Sequence, residues 1–210
     1  MSLSLKDISG SYDAIFSLGD LCLASIQLRN NNLRPYAGVL DWVGSPTLPK
    51  VNLLLQNQFS DFLDPRHLKP IKYLSQLDLY VLDEHYNIGF NHDFKTDKNS
   101  LTHLGGYPEV KEKYDRRIQR FLEKMSTSQK ILFVRTEGSF EEVKELESIL
   151  SGLVKHDFRI LVIKHTNVNG IVENDWPLEK VCVIELPNHD IWNSNDHHWK
   201  TILSGISINV

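Results

Sequence analysis

The sequence predicts an α/β protein, a three-layer sandwich with a mostly parallel central sheet and helices on both faces. Three observations predict it. Short apolar runs at Ala14–Phe16, Ile131–Val134, Arg159–Ile163 and Val181–Glu185 are nearly continuous, as in strands buried on both faces. Helix-compatible stretches alternate with those runs, which favours parallel crossovers. The chain has 210 residues, 41% of them hydrophobic and 24% charged, so it can build a sizeable core. It reads as one α/β domain over 1–210, with an irregular or hairpin insertion around 59–106.

Taken in order, Ala14–Phe16 forms the first strand, Gly19 breaks it, and Leu21–Leu28 continues as a helix. A second short strand is expected at Ala37–Leu40, ending at Asp41. Ser45-Pro46 should open a helix through Gln58, with Pro46 in the first turn. Residues 59–70 carry Asp-Pro and Lys-Pro breaks and read as irregular. Leu79–Asp83 and Tyr86–Phe90 read as a hairpin around Glu84-His85, leading into Asn91-His92-Asp93-Phe94. Lys95–Gly106 is polar and reads as a surface loop. Pro108 starts a helix to about Met125 that presents Arg116, Arg117 and Arg120. Ser139 and Glu142 form a capping box for a helix to Leu150, and Asp196 begins a last helix through Ile202.

Composition narrows the function classes. A net charge of −4 argues against nucleic acid as partner. No apolar run reaches membrane-spanning length, and the first residues lack the apolar core of a signal peptide. Two widely spaced cysteines, Cys22 and Cys182, suit a reducing cytoplasm rather than a disulfide framework. Nine histidines occur without HExxH or CxxC spacing, so no metal and no cofactor is expected. The expected partner is a small-molecule, peptide or glycan substrate.

In parallel sheets, ligands bind beyond the carboxyl ends of the strands. The first strand runs out into Gly19-Asp20-Leu21-Cys22, the second into Asp41-Trp42 and the hairpin into His92-Asp93. Later strands end at Arg135-Thr136, His165-Thr166 and Asn188-His189-Asp190. Cysteine acyl chemistry needs a thiolate, a histidine to take and return its proton, a group to orient that histidine, and oxyanion donors. Cys22 supplies the thiol. A helix N-terminus would depress its pKa, and its own N–H is a candidate oxyanion donor. His92, with Asn91 and Asp93 beside it, is the expected base, with His165 and His198 as competitors. Asp41 or Asp196 would orient the ring. Gly19, Asp20, Arg34, Trp42, Asp93 and Arg135 complete the expected binding set, and Cys182 reads as core.

Several of these motifs together are familiar. Phe16-Ser17-Leu18-Gly19 with Cys22, Leu33-Arg34 through Leu40-Asp41-Trp42, and His92-Asp93-Phe94 resemble the putative papain-like cysteine peptidase family, long carried as a domain of unknown function. Lys113–Ile118, Ile131–Arg135 and Asp196 with Trp199 match it too. Val39-Leu40 stands where members more often carry Pro-Phe. The resemblance implies a thiol peptidase with Cys22 and His92 as its pair. The Ser-Leu-Gly-Asp turn is also similar to the Gly-Asp-Ser block of SGNH esterases, although the late Asp196-His197-His198 spacing differs from theirs.

Two functions compete with a third reading, a structural or interaction domain whose Cys22 is buried. One is a thiol hydrolase or acyl transferase using a Cys-His pair on an amide or ester. The other is a non-catalytic or transferase module that holds an anionic ligand, such as a nucleotide-sugar or phosphorylated glycan, on Arg34, Arg135 and the Arg116/Arg117/Arg120 group.

Overall fold

The computed structural model describes residues 3–209. In chain order the elements are α1 (Leu5–Ile8), β1 (Gly10–Tyr12), β2 (Ala14–Ser17), α2 (Leu23–Asn30), β3 (Val43–Gly44) and α3 (Leu48–Gln56). Next come β4 (Leu68–Tyr73), β5 (Asp78–Asp83), β6 (Ile88–Lys95), β7 (Asn99–Ser100), β8 (His103–Leu104) and α4 (Tyr107–Thr127). The last third holds β9 (Lys130–Thr136), α5 (Phe140–Leu153), β10 (Asp157–Thr166), β11 (Val172–Asn174), β12 (Val181–Pro187), α6 (Asp196–Leu203) and β13 (Ile206–Ile208).

The central sheet has the order β11-β12-β10-β9-β2. Its β2–β9, β9–β10 and β10–β12 pairs are parallel, and only β11 runs antiparallel. Side chains on a strand alternate between faces, so each apolar run serves two cores. Phe16, Phe133, Ile160 and Val183 face one core with the inner residues of α3, α4 and α5. Ile15, Leu132, Leu161, Cys182 and Ile184 face the other, with Leu23 and Leu28 of α2 and Trp199 and Ile202 of α6. This is the expected three-layer arrangement with a mostly parallel sheet. Ser139 caps α5 as expected, accepting from the Glu142 amide while Glu142 returns a bond to the Ser139 amide.

The insertion is more ordered than its composition suggests. It forms a four-stranded antiparallel sheet, β3-β6-β5-β4, whose Leu79, Val81, Phe90 and Phe94 enter the same core as Phe16 and Phe133. Three expectations are corrected here. Ala37–Leu40 is buried coil rather than strand, because the Asp41 carboxylate draws the Gly38 N–H (2.7 Å) and Arg34 Nε (2.6 Å) into a closed loop. The third helix begins at Leu48 behind Thr47 rather than at Pro46, since Ser45 is engaged with the Asp20 carbonyl (2.6 Å). The hairpin strand does not end at Phe90. It continues to Lys95, with Phe94 paired to Leu79 and Lys95 to Asp78, so His92 and Asp93 lie within an antiparallel strand and not at the rim of the central sheet.

Phe133 is fully buried and packs against Phe16, Phe121 and Phe158 at ring-centroid distances of 6.1 to 6.2 Å. Phe133→Ala should therefore cost about 3–5 kcal/mol in urea unfolding. Ile71→Ala, on the exposed edge strand β4, should stay within about 0.5 kcal/mol of the parent protein.

Candidate active site

The site is built from the turn that follows β2. Leu18 still donates to the Val134 carbonyl (2.8 Å), and then Gly19 takes φ +82° and reverses the chain. A left-handed φ suits glycine, and there is no room for a side chain either: a Cβ on Gly19 would fall 2.0 Å from Ser45 Oγ and 3.2 Å from Arg135 Nη1. The Gly19 carbonyl is held by the backbone N–H (3.1 Å) and hydroxyl (3.1 Å) of Thr136 at the end of β9. Beneath the turn lies the Arg135 guanidinium, 1% exposed. It donates to Leu18 O (2.8 Å), Ser45 Oγ (3.2 Å) and Ser45 O (2.9 Å), with an Asp20 oxygen at 4.0 Å. Burial lowers its pKa to about 10, and the carboxylates of Asp20, Glu142 and Glu137 counter that. Burial also raises the Asp20 carboxyl, with Arg135 acting in the opposite sense.

Cys22 is the residue immediately before α2, and Ile26 N–H donates to its carbonyl (2.9 Å). The Ser25 hydroxyl binds that carbonyl (2.9 Å) and also the Asp41 carbonyl (2.6 Å). The thiol is half-buried, and Cys182 is fully buried within β12. Burial pushes the Cys22 thiol up, and its own backbone N–H opposes the shift only in part. This reverses the depressed pKa expected from the sequence. Helix position alone does not outweigh desolvation where no cation faces the sulfur. Among the described residues the Cys22 thiol has no hydrogen-bond acceptor.

The other expected site residues fall into two groups. Asp20 and Arg135 stand at the Cys22 turn. Asp41 is joined to that turn through its carbonyl, while its buried carboxylate is committed to Arg34 Nε and Gly38 N–H. Arg34 and Arg29 both lie over the Trp42 ring, at 5.0 and 5.5 Å. His92 is exposed on β6, and the Asp93 carboxylate binds Lys113 and the Tyr114 hydroxyl. Arg116 pairs with Glu112, Arg117 lies over Tyr114 and Arg120 over Tyr36. Those three arginines are thus distributed along α4 rather than gathered on a common anion.

One functional candidate escaped the sequence reading. Glu137, immediately after β9, has φ +61° and is followed by Gly138 at φ +141°. Its carboxylate lies 2.7 Å from His165 Nδ1 and accepts the His165 backbone N–H at 3.1 Å. The Glu-Gly pair directly after an apolar strand was the available signal. Two cavities flank this rim. One of about 380 Å³ opens beside Leu21, between Gly44, Pro46 and the Tyr80 and Asn91 side of the antiparallel sheet. The other, about 430 Å³, lies past the ends of β10 and β12 against His189, Asn195, His197 and His198.

Gly19→Ala meets both the strained φ and the Ser45 contact, so it should lower unfolding free energy by at least about 1–3 kcal/mol. Arg135→Met strands the Leu18 and Ser45 carbonyls and should cost about 2–4 kcal/mol. Urea titration of each variant measures both.

An uncharacterised protein of Acanthamoeba polyphaga mimivirus, R408, is 25% identical over 221 residues, covering 92% of this chain and 98% of the relative. No solved structure matches the chain. Residues 13–168 match the model of the family described as "Putative papain-like cysteine peptidase (DUF1796)". That segment carries the Cys22 turn, the antiparallel insertion, Arg135, Glu137 and His165, and the chain belongs to this family.

Proposed function

We propose that the protein is a thiol hydrolase or acyl transferase that acts on an amide or ester carbonyl with Cys22 as nucleophile. The observation that carries this reading is the placement of a half-buried thiol directly after the Gly19 turn, at the carboxyl end of β2 and the first turn of α2. Ligands meet α/β proteins at that rim. The first amides of a helix lack intrahelical acceptors, so the Cys22 and Leu23 N–H groups are available to a developing oxyanion. As the Sγ–C bond forms, the thiol proton passes to a histidine base. Collapse of the tetrahedral intermediate breaks the bond to the leaving group, which takes that proton, and leaves a thioester. Water or a second nucleophile then releases the acyl group.

The cavity beside Leu21 is the seat we assign to the substrate's acyl portion. Tyr80 and Leu74 give it apolar wall, and Asn87, Asn91 and Lys72 give it polar atoms. The competing anion-binding reading has less support. Arg34 is paired with Asp41, Arg116 with Glu112, and three of the Arg135 contacts are to Leu18 and Ser45.

Incubation with p-nitrophenyl acetate followed by peptide mapping should find one acetyl group, on Cys22, absent from Cys22→Ala. Iodoacetamide should label Cys22 and spare Cys182 in the folded protein. Burial places the Cys182 pKa at about 12, so its labelling should require denaturant. Because the Cys22 pKa is raised, its alkylation rate should still be climbing above pH ~8.5, where an ordinary thiol is half ionised. Equal, slow labelling of both cysteines without acetylation would overturn the reading.

A further inference from the structure

We infer that His165, held by Glu137, is the base that serves Cys22, an assignment that rests on the Cys22 nucleophile proposed above. His165 lies two residues beyond Ile163, the last β10 residue paired with β9. At that point β9 has ended and Glu137 turns back across the gap, with its N–H on the Ile163 carbonyl (2.9 Å) and its carboxylate on both the ring and the backbone of His165. A carboxylate only accepts, so Nδ1 carries the hydrogen toward Glu137 and the lone pair of the neutral ring sits on Nε2. The His165 side chain is 5% exposed, and its Nε2 is buried with no hydrogen-bond partner.

Two costs therefore meet in one place. A non-glycine residue at positive φ costs energy, and so does a buried acceptor without a donor, each on the order of 1–3 kcal/mol. Such costs gather at functional sites. The complement lies across β9. Among the described residues Cys22 has a thiol donor with no acceptor and His165 an acceptor with no donor. Cys22 follows the carboxyl end of β2, and His165 stands near the carboxyl end of β10, still paired with Leu186 of β12, so the strands that carry them flank β9. The two segments share that strand's end: Gly19 O is bound by Thr136, and the next residue is Glu137. Asp20, two residues before Cys22, already lies within the electrostatic influence of His165. Catalytic hydrogen bonds are often open in a resting enzyme and close on substrate.

The alternatives are placed less favourably. His92 is exposed on β6, and His198 lies on α6 with its ring centroid 3.8 Å from that of His197, tilted against it. The charged groups that the ring of His165 meets are Glu137 from the end of β9 and, at longer range, Asp20 at the Cys22 turn. Glu185 of β12 is turned to Thr166 and Asn174. In the reaction, Nε2 takes the Cys22 proton as Sγ bonds to the carbonyl carbon. The imidazolium so formed is stabilised by Glu137, and it returns the proton to the departing oxygen or nitrogen.

The test is the rate of p-nitrophenolate release from p-nitrophenyl acetate, corrected with Cys22→Ala, together with long-range ¹H–¹⁵N spectra of the histidine rings. His165→Gln should slow the Cys22-dependent burst by about 10²-fold or more, the usual range for loss of a general base. It should also remove one inflection from the pH–rate profile. Glu137→Gln keeps the size and shape of the side chain, so it remains informative if His165→Gln does not fold. It should slow the burst about tenfold and reduce the share of the Nδ1–H tautomer expected for the wild-type ring. A Cys22-dependent burst that survives His165→Gln, or that is lost with His92→Gln instead, overturns this assignment and leaves the nucleophile standing. No difference between wild type and Cys22→Ala overturns both.

Discussion

Much of the site depends on one buried cation. A guanidinium that is 1% exposed has lost most of its hydration, a cost of several kcal/mol unless its hydrogens find other acceptors. The Nη groups of Arg135 find them in the Leu18 carbonyl and in both oxygens of Ser45, while Nε has no partner among the described residues. Bonds from a charged donor contribute about 1.5–3 kcal/mol each, so together they offset much of the desolvation. They also join two segments far apart in sequence. The end of β2 and the stretch before α3 are fixed to the same group, and Gly19 must turn in the narrow space between them.

That junction explains why a parallel sheet and an antiparallel one form one working edge. Ser45 N–H donates to the Asp20 carbonyl, and Ser25 holds the carbonyls of Cys22 and Asp41 together. Val43 and Gly44, between Asp41 and Ser45, pair with Phe90 and Gly89 of β6. The antiparallel sheet is thereby carried on the loop that braces the Cys22 turn, and the cavity beside Leu21 lies where the two meet. Gly89 contributes by absence, since a Cβ there would fall 2.3 Å from the Tyr80 hydroxyl that lines the cavity.

The central strands were legible because burial on both faces leaves nearly continuous apolar runs, and α5 because its capping box is local chemistry. What was not legible depended on partners distant in sequence. Ala37–Leu40 has a strand's composition but is closed into coil by Asp41 and Arg34. The polar residues Asn91, His92 and Asp93 hid the continuation of β6, which only its pairing with β5 reveals. β4 was passed over because Pro70 and two lysines mark it as irregular, yet those residues suit an unpaired sheet edge. Cys22, Asp20 and Arg135 were recognised at one rim from strand ends alone. The Glu137 contact required a left-handed residue, and the upward shift of the Cys22 pKa required knowing what surrounds the sulfur.

The direction of that shift bears on how a thiol here could react. In enzymes that rest as a thiolate–imidazolium pair, a nearby cation lowers the cysteine pKa. Here the Nη groups of the cation at the turn, Arg135, are committed to the Leu18 carbonyl and to Ser45, and burial itself holds the Cys22 thiol up. A resting thiolate would add an anion to a half-buried site already holding carboxylates, which burial penalises. A neutral thiol avoids this, provided that its proton leaves only as the bond to carbon forms and charge moves onto the carbonyl oxygen. In the proposed reaction the first amides of α2, at Cys22 and Leu23, would take that oxygen. Such chemistry resembles serine acyl transfer more than a preformed ion pair, and it places the demand on a base oriented in advance. A ring fixed through Nδ1 by a carboxylate, with Nε2 left unpartnered, meets that demand.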